Sequence, residues 1–269
     1  MAAMDHSDLL ATLAELHEAW QALAEVEPEV EPDPRLAENI GALEVLLARA
    51  DPGRLPELYA EDFDEAEHAE LLARGAVIAP RLIELVNQSL WYEGEAPGSG
   101  RAPIRAAKLL AELGCLEAID PIEHQLSCCL DDECIAYEPL MRALTTLVGL
   151  DPETELERAL DHGCPSVLFE AVVRSGARGP RILDEVRAGL RRDAVESAYI
   201  LMNVGDEALY GPLAERLARM RFDPKDPISL WEFYDLADIA RDLELQLSPV
   251  LSARYELARR EVLKDRPER

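Results

Sequence analysis

The sequence predicts an all-α protein, an α-solenoid of about five to six stacked helical hairpins behind an N-terminal helical extension. Three observations predict it. Apolar residues recur at three- and four-residue intervals along almost the whole chain, as amphipathic helices require. Alternating β-branched runs are nearly absent, so no strand is expected. Five glycines, Gly75, Gly114, Gly149, Gly176 and Gly205, recur at intervals of 39, 35, 27 and 29 residues, each between an apolar segment and a second amphipathic one.

The first helix is expected from about His6 to Val26, where Leu9, Leu13, Leu16, Trp20 and Leu23 form one stripe. Three prolines in Glu27–Pro34 break it, and Asp33 with Pro34 supplies an N-cap and first turn for a helix over Leu36 to Ala50. The same Asp-Pro or Ser-Pro pair stands at Asp51-Pro52, Asp120-Pro121, Asp151-Pro152, Asp223-Pro224, Asp226-Pro227 and Ser248-Pro249, where it reads as a helix start. From residue 71 the glycine-centred units follow: 71 to 86, 109 to 126, 144 to 160, 171 to 186 and 199 to 217. In each, an apolar helix runs into a glycine suited to a left-handed C-cap, and a second helix follows a short turn. A sixth unit pairs Trp231 to Leu243 with Pro249 to Leu263. No helix of such a unit can bury its stripe alone, so consecutive units stack. The expected organisation is an acidic N-terminal segment, 1–70, packing on a repeat array, 71–269.

Charge is distributed as unevenly as the glycines are evenly spaced. The 269 residues carry 54 acidic and 27 basic side chains, a net charge of −27. Residues 1 to 100 hold 22 acids against 5 bases, 101 to 170 hold 14 against 5, and 171 to 269 hold 18 against 17. Such a surface opposes phosphate backbones and anionic lipid, which argues against nucleic acid and membrane as partners. No apolar run approaches the roughly 18 residues of a spanning helix. The first ten residues carry Asp5 and Asp8 and no base, unlike a targeting peptide, so a cytoplasmic location is expected.

The segment Ala106 to Leu126, with its A-x-x-L-L-x-x-L-G pattern followed by Ala118-Ile119-Asp120-Pro121-Ile122, resembles the short HEAT-like repeats of bacterial proteins, the type shared with bilin lyases. Residues 79 to 126, with Trp91 ahead of Ala102-Pro103-Ile104-Arg105-Ala106, are similar to a bacterial HEAT-like branch with a W…APIHA signature, except that Arg105 replaces the histidine. The resemblance covers residues 71 to 263. It implies a right-handed superhelix and, for most such arrays, scaffolding or partner binding without catalysis. HEAT-like DNA glycosylases carry a basic concave face, and the central repeats here are acidic.

Motifs for chemistry are sparse. No P-loop, strand-linked G-x-G-x-x-G, G-x-S-x-G or H-E-x-x-H is present, so no enzyme and no cofactor is expected. The glycine-rich stretch Gly94 to Gly100 is acidic and reads as an inserted loop, Asp131-Asp132-Glu133 as a solvated turn, and Asn87-Gln88-Ser89 as helix. Five cysteines, Cys115, Cys128, Cys129, Cys134 and Cys164, are an odd number without a CxxC, which favours buried thiols over a disulfide framework. An alternative function, a metal or small-molecule site, rests on His124, Cys128 and Cys134, with His162 and Cys164 as further candidates.

In the resembled fold the second helix of each unit lines the concave face. Those helices are expected at about 77 to 90, 118 to 130, 153 to 162, 180 to 190 and 208 to 221. Candidate partner-binding residues are Arg81, Glu84, Asn87, Glu123, His124 and Glu157, with Asp184, Arg187, Glu215 and Arg219 continuing the row. Trp91 and Tyr92 are candidate aromatic anchors. The groove is expected to run from acidic to mixed or basic, and the partner to be a protein with a basic surface. Trp231, Phe233 and Tyr234 are expected to fill the C-terminal end of the core, and Arg254, Arg259 and Arg260 to form its polar cap.

Overall fold

The computed structural model describes residues 11–12, 14–16, 55–60, 63–87, 92, 99–128 and 135–264. Residues 11, 12 and 14–16 are helical; the rest of the helix expected over His6 to Val26, the helix at Leu36 to Ala50, and the Asp33-Pro34 and Asp51-Pro52 starts lie outside the described residues. Twelve α-helices have both ends described: α1 Glu65–Ala73, α2 Ala79–Val86, α3 Ala102–Glu112, α4 Ile119–Cys128, α5 Tyr137–Val148, α6 Pro152–His162, α7 Val167–Arg174, α8 Pro180–Arg192, α9 Ala194–Val204, α10 Tyr210–Arg219, α11 Pro227–Asp242 and α12 Pro249–Lys264. No strand occurs among the described residues, as expected. The chain divides into two compact units, Met1–Leu150 and Asp151–Arg269.

Each unit has two rows of helices. In the first, α1 and α5 flank α3 and form one row, while α2 and α4 form the other, α2 packing on α3 and α4 on α5. In the second, α7, α9 and α11 form a row and α8 and α10 another, with α6 on α7, α8 on α9, and α12 closing on α11. Burial separates the rows. Seven of the eleven residues of α3, six of twelve in α5, five of eight in α7 and six of eleven in α9 are buried. In α4, α6, α8 and α10 the numbers are four of ten, two of eleven, four of thirteen and two of ten. The odd-numbered helices from α3 to α9 are therefore the interior, and α4, α6, α8 and α10 carry one narrow apolar stripe and a wide polar face, while α2, with four of eight residues buried, is as enclosed as α5.

The turns show why the glycines recur. Gly75, Gly114, Gly176 and Gly205 all have positive φ. After α3 the amide of Gly114 donates to the Ala111 carbonyl and that of Cys115 to Leu110, a Schellman closure that satisfies carbonyls the helix leaves open. Gly149 departs from the expectation: its φ is −64°, because α5 ends in right-handed geometry and Leu150 turns the chain back onto the Leu147 carbonyl. The proline pairs divide similarly. Asp151 caps α6 through the Thr154 amide, and the Ser248 hydroxyl accepts from Leu251 at the start of α12. Asp226 precedes Pro227 at the start of α11 with its side chain uninvolved in capping. Asp120 lies inside the first turn of α4, since a short 3-10 segment, Leu116–Ala118, has already begun the rotation. Asp223 starts no helix; its carboxylate accepts from the Lys225 amide in a local turn.

Arg105, where the resembled branch has histidine, has a structural role. Its Nη1 donates to the carbonyls of Leu58 and Ala60, at 2.7 and 2.6 Å, and its guanidinium lies 4.7 Å from the centroid of Phe63. It thereby fixes the Pro56–Tyr59 turn, in which Leu58 is fully buried, to α3. At the other end, Phe233 is fully buried and stacked on Phe222, Tyr234 stacks on Tyr255, and Trp231 meets Tyr234 edge-on. Arg254 is not part of an outer cap. It turns inward over Phe233, 4.5 Å from the ring centroid, and donates to the Met220 carbonyl; Arg259 and Arg260 are exposed.

Two substitutions separate these claims. Gly114→Ala must adopt φ +67° and meets Leu150 Cδ1 at 3.4 Å, so it should cost about 1–2 kcal/mol, whereas Gly149→Ala should change stability by about 0.5 kcal/mol or less. Urea unfolding of both variants measures the contrast. In the same assay Arg105→Met, which keeps the bulk but leaves two carbonyls without their donor, should cost about 2–3 kcal/mol.

Candidate functional site

The polar faces of the even-numbered helices are where candidate binding residues can lie, because their stripes are already used in packing. In the first unit Arg81 and Glu84 form an ion pair at 2.7 Å on α2, with Glu84 the more exposed. Asn87 is exposed, and its carbonyl accepts from Gln125 Nε2 at 3.3 Å, joining the end of α2 to α4. Glu123 is half-buried, and His124 is exposed beside it. Tyr92 is half-buried with its hydroxyl donating to the Val86 carbonyl at 3.1 Å, so it closes the end of α2. Trp91 lies outside the described residues, as do residues 93–98 of the inserted loop, and 131–133.

In the second unit one of the expected residues joins neighbouring helices and the others pair within their own. Glu157 on α6 receives two hydrogen bonds from Arg181 on α8, at 2.5 and 2.9 Å. These hold its carboxyl below the usual range and raise the guanidinium. Asp184 pairs with Arg187 at 2.5 Å, and Glu215 with Arg219 at 3.5 Å.

Between α8 and α10 the surface opens into a cleft of about 520 Å³ lined by Arg187, Arg191, Gly211, Glu215, Arg216 and Arg219 among others. Four guanidinium groups face one carboxylate in a chain of net charge −27. Arg216 is half-buried, and its Nε is buried without a hydrogen-bond partner among the described residues. Arg216 also lines an adjoining cleft of about 580 Å³ bordered by Met220, Ile228 and Trp231. Sequence reasoning found Arg187, Glu215 and Arg219 but missed Arg191 and Arg216. A signal was present: Arg187 and Arg216 each stand 11 residues after their repeat glycine, Gly176 and Gly205.

The cysteines and histidines are dispersed. His124 and Cys128 are exposed on α4, His162 is exposed at the end of α6, and Cys115 is half-buried with its thiol against Glu117. Cys129 and Cys134 lie outside the described residues. Among the described residues no group of three or more His, Cys, Asp or Glu side chains is arranged to hold a metal ion. Cys164 is buried in the second unit, its Sγ 3.6 Å from Ser197 Oγ, and its carbonyl accepts from Arg192. A Cβ on Gly189 would stand 2.5 Å from Ser197 Oγ and 2.8 Å from that Sγ, so this glycine sets how closely α8 and α9 approach. Glu185 accepts from the Cys164 amide and pairs with Arg192; burial alone would raise its pKa, but these two partners hold it below the usual carboxylate range.

Compared with protein-family models, with curated proteins and with solved structures, the chain matches none. Among the described residues no helix is long and apolar enough to cross a membrane.

Burial pushes the Cys164 thiol from 9.0 up to about 11. The folded chain therefore keeps a proton that the unfolded chain releases between those values. Its contribution to stability is whole below pH 9 and is lost as pH rises towards 11, a change of at most about 3 kcal/mol. Unfolding free energies from pH 8 to 11 should fall more steeply for the wild type than for Cys164→Ala. Alkylation at pH 8 followed by peptide mapping should label Cys128 well before Cys164.

Proposed function

We propose that this chain is a non-catalytic protein-interaction module in which the helices of each unit stack as a HEAT-like α-solenoid and present the even-numbered row to a protein partner. The observation that carries the reading is the separation of the rows: α3, α5, α7 and α9 are occupied in mutual burial, while α4, α6, α8 and α10 hold only narrow stripes in the core and expose charged faces. A face repeated at helical spacing offers an extended partner several equivalent contacts. In the first unit this row carries the exposed Glu84 and the half-buried Glu123, which complement a basic surface. The partner is a protein rather than nucleic acid, because a net charge of −27 opposes a phosphate backbone.

The test uses the intact chain immobilised as bait in a lysate of its source cells, with captured proteins quantified by mass spectrometry. Saturable, salt-sensitive capture is expected. The double variant Glu84→Lys and Glu123→Lys should retain its helical circular dichroism and lose about tenfold in capture of a partner that binds the first unit. Capture unchanged by these substitutions and by salt would remove the acidic row as the binding surface.

A further inference from the structure

The cleft between α8 and α10 runs against the charge of the rest of the chain. Arg187 and Arg191 are one helical turn apart on α8, and Arg216 and Arg219 stand three apart on α10. Like charges at this spacing repel, and folding tolerates them only at a cost. Two of the four have a neighbouring acid, Asp184 for Arg187 and Glu215 for Arg219, and the second pair is largely exposed at 3.5 Å. Arg191 is exposed and Arg216 half-buried. Four guanidinium groups lining one cleft with a single carboxylate leave forked donors for an acceptor supplied from outside.

We propose that this cleft binds an acidic peptide segment of a partner protein, with side-chain carboxylates on the four arginines and an adjacent apolar side chain in the neighbouring cleft. The inference rests on the interaction-module reading and names the chemistry of one partner. Three features select a peptide over a phosphate or a nucleic acid. The four arginines come from two helices, Arg187 and Arg191 from α8 and Arg216 and Arg219 from α10, so they suit carboxylates spaced along a chain. Glu215 stands among them and opposes a compact dianion. Arg216 lines both clefts, and the second carries Trp231 and an Ile228 that is 72 % exposed, apolar contacts for which a nucleic-acid backbone has no counterpart, within a rim that also holds Asp193, Glu196, Glu232 and Asp235. A segment in which Asp and Glu residues flank a Leu or Phe matches both halves.

The intact protein is titrated into a fluorescein-labelled heptapeptide, Glu-Asp-Glu-Leu-Phe-Glu-Asp, and fluorescence anisotropy is read in about 50 mM salt. A control peptide carries Gln and Asn in place of the acids. Saturable binding of the acidic peptide alone is expected. Arg191→Glu should weaken it about tenfold or more. Gly211→Glu gives a second variant: a Cβ at Gly211 meets no atom within 4 Å, and an acid in the first turn of α10 suits the helix dipole. It should therefore fold as well as the wild type, place a carboxylate at the cleft, and also weaken the peptide about tenfold or more. No saturable binding, binding indifferent to both substitutions, or displacement by inorganic phosphate or a single-stranded oligonucleotide at lower concentration than by unlabelled peptide would each overturn the assignment. Partner capture by the wild-type chain is measured alongside. If it persists, only the cleft assignment falls; if it is absent as well, the module reading falls with it.

Discussion

The constraint on which this structure depends is that its helices are too short to stand alone. The twelve that are described from end to end run from eight to sixteen residues, and isolated helices of about 12–15 residues are marginal in water even with favourable composition. Stability must therefore come from burial of the apolar stripes, at about 1.5–3 kcal/mol for each large side chain withdrawn from water. A stripe on one face needs one neighbour, and a helix apolar on several faces needs several. The odd-numbered helices α3, α5, α7 and α9 are of the second kind, which is why Leu109, Leu110, Leu144, Leu147, Phe169, Val172 and Leu201 are completely enclosed. Helices α4, α6, α8 and α10 are of the first kind, and this leaves their opposite faces exposed.

Where ordinary apolar packing does not reach, individual polar groups hold the chain. Arg105 joins the Pro56–Tyr59 turn to α3 through two carbonyls. Arg254 bridges α12 to the end of α10 at Met220. At the junction of α8 and α9, Gly189, Cys164 and Ser197 meet so closely that one added methyl group has no room. These residues fix where helices begin and how near they lie, and so they fix the spacing of the charged rows on the even-numbered helices.

Much of this was legible in the sequence because the signals were periodic. The second helices expected near 118 to 130, 153 to 162, 180 to 190 and 208 to 221 correspond to α4, α6, α8 and α10, and four of the five repeat glycines have positive φ. What was not legible depended on neighbours distant in sequence. Gly149 looks like the other four, yet its helix ends without leaving right-handed geometry. Asp223-Pro224 has the form of a helix start, but the carboxylate is engaged by the Lys225 amide. Arg254 reads as a surface charge until Phe222 and Phe233 are brought beneath it. The candidate site was partly legible for the same reason. Glu157 was found, but its bidentate partner Arg181 lies 24 residues away. Arg191 and Arg216 become a pair only when α8 and α10 are set side by side.

The central claim is that one row of helices is interior and the other is a presented surface. Hydrogen–deuterium exchange of the intact protein, resolved by peptide, tests it most directly, because amide protection reports how often each helix opens. The account predicts the slowest exchange in α3, α5, α7 and α9, and the fastest among the α-helices flanking them in α6 and α10, where only two residues each are buried. Equal protection in both rows, or α7 and α9 exchanging before α6 and α10, would contradict it.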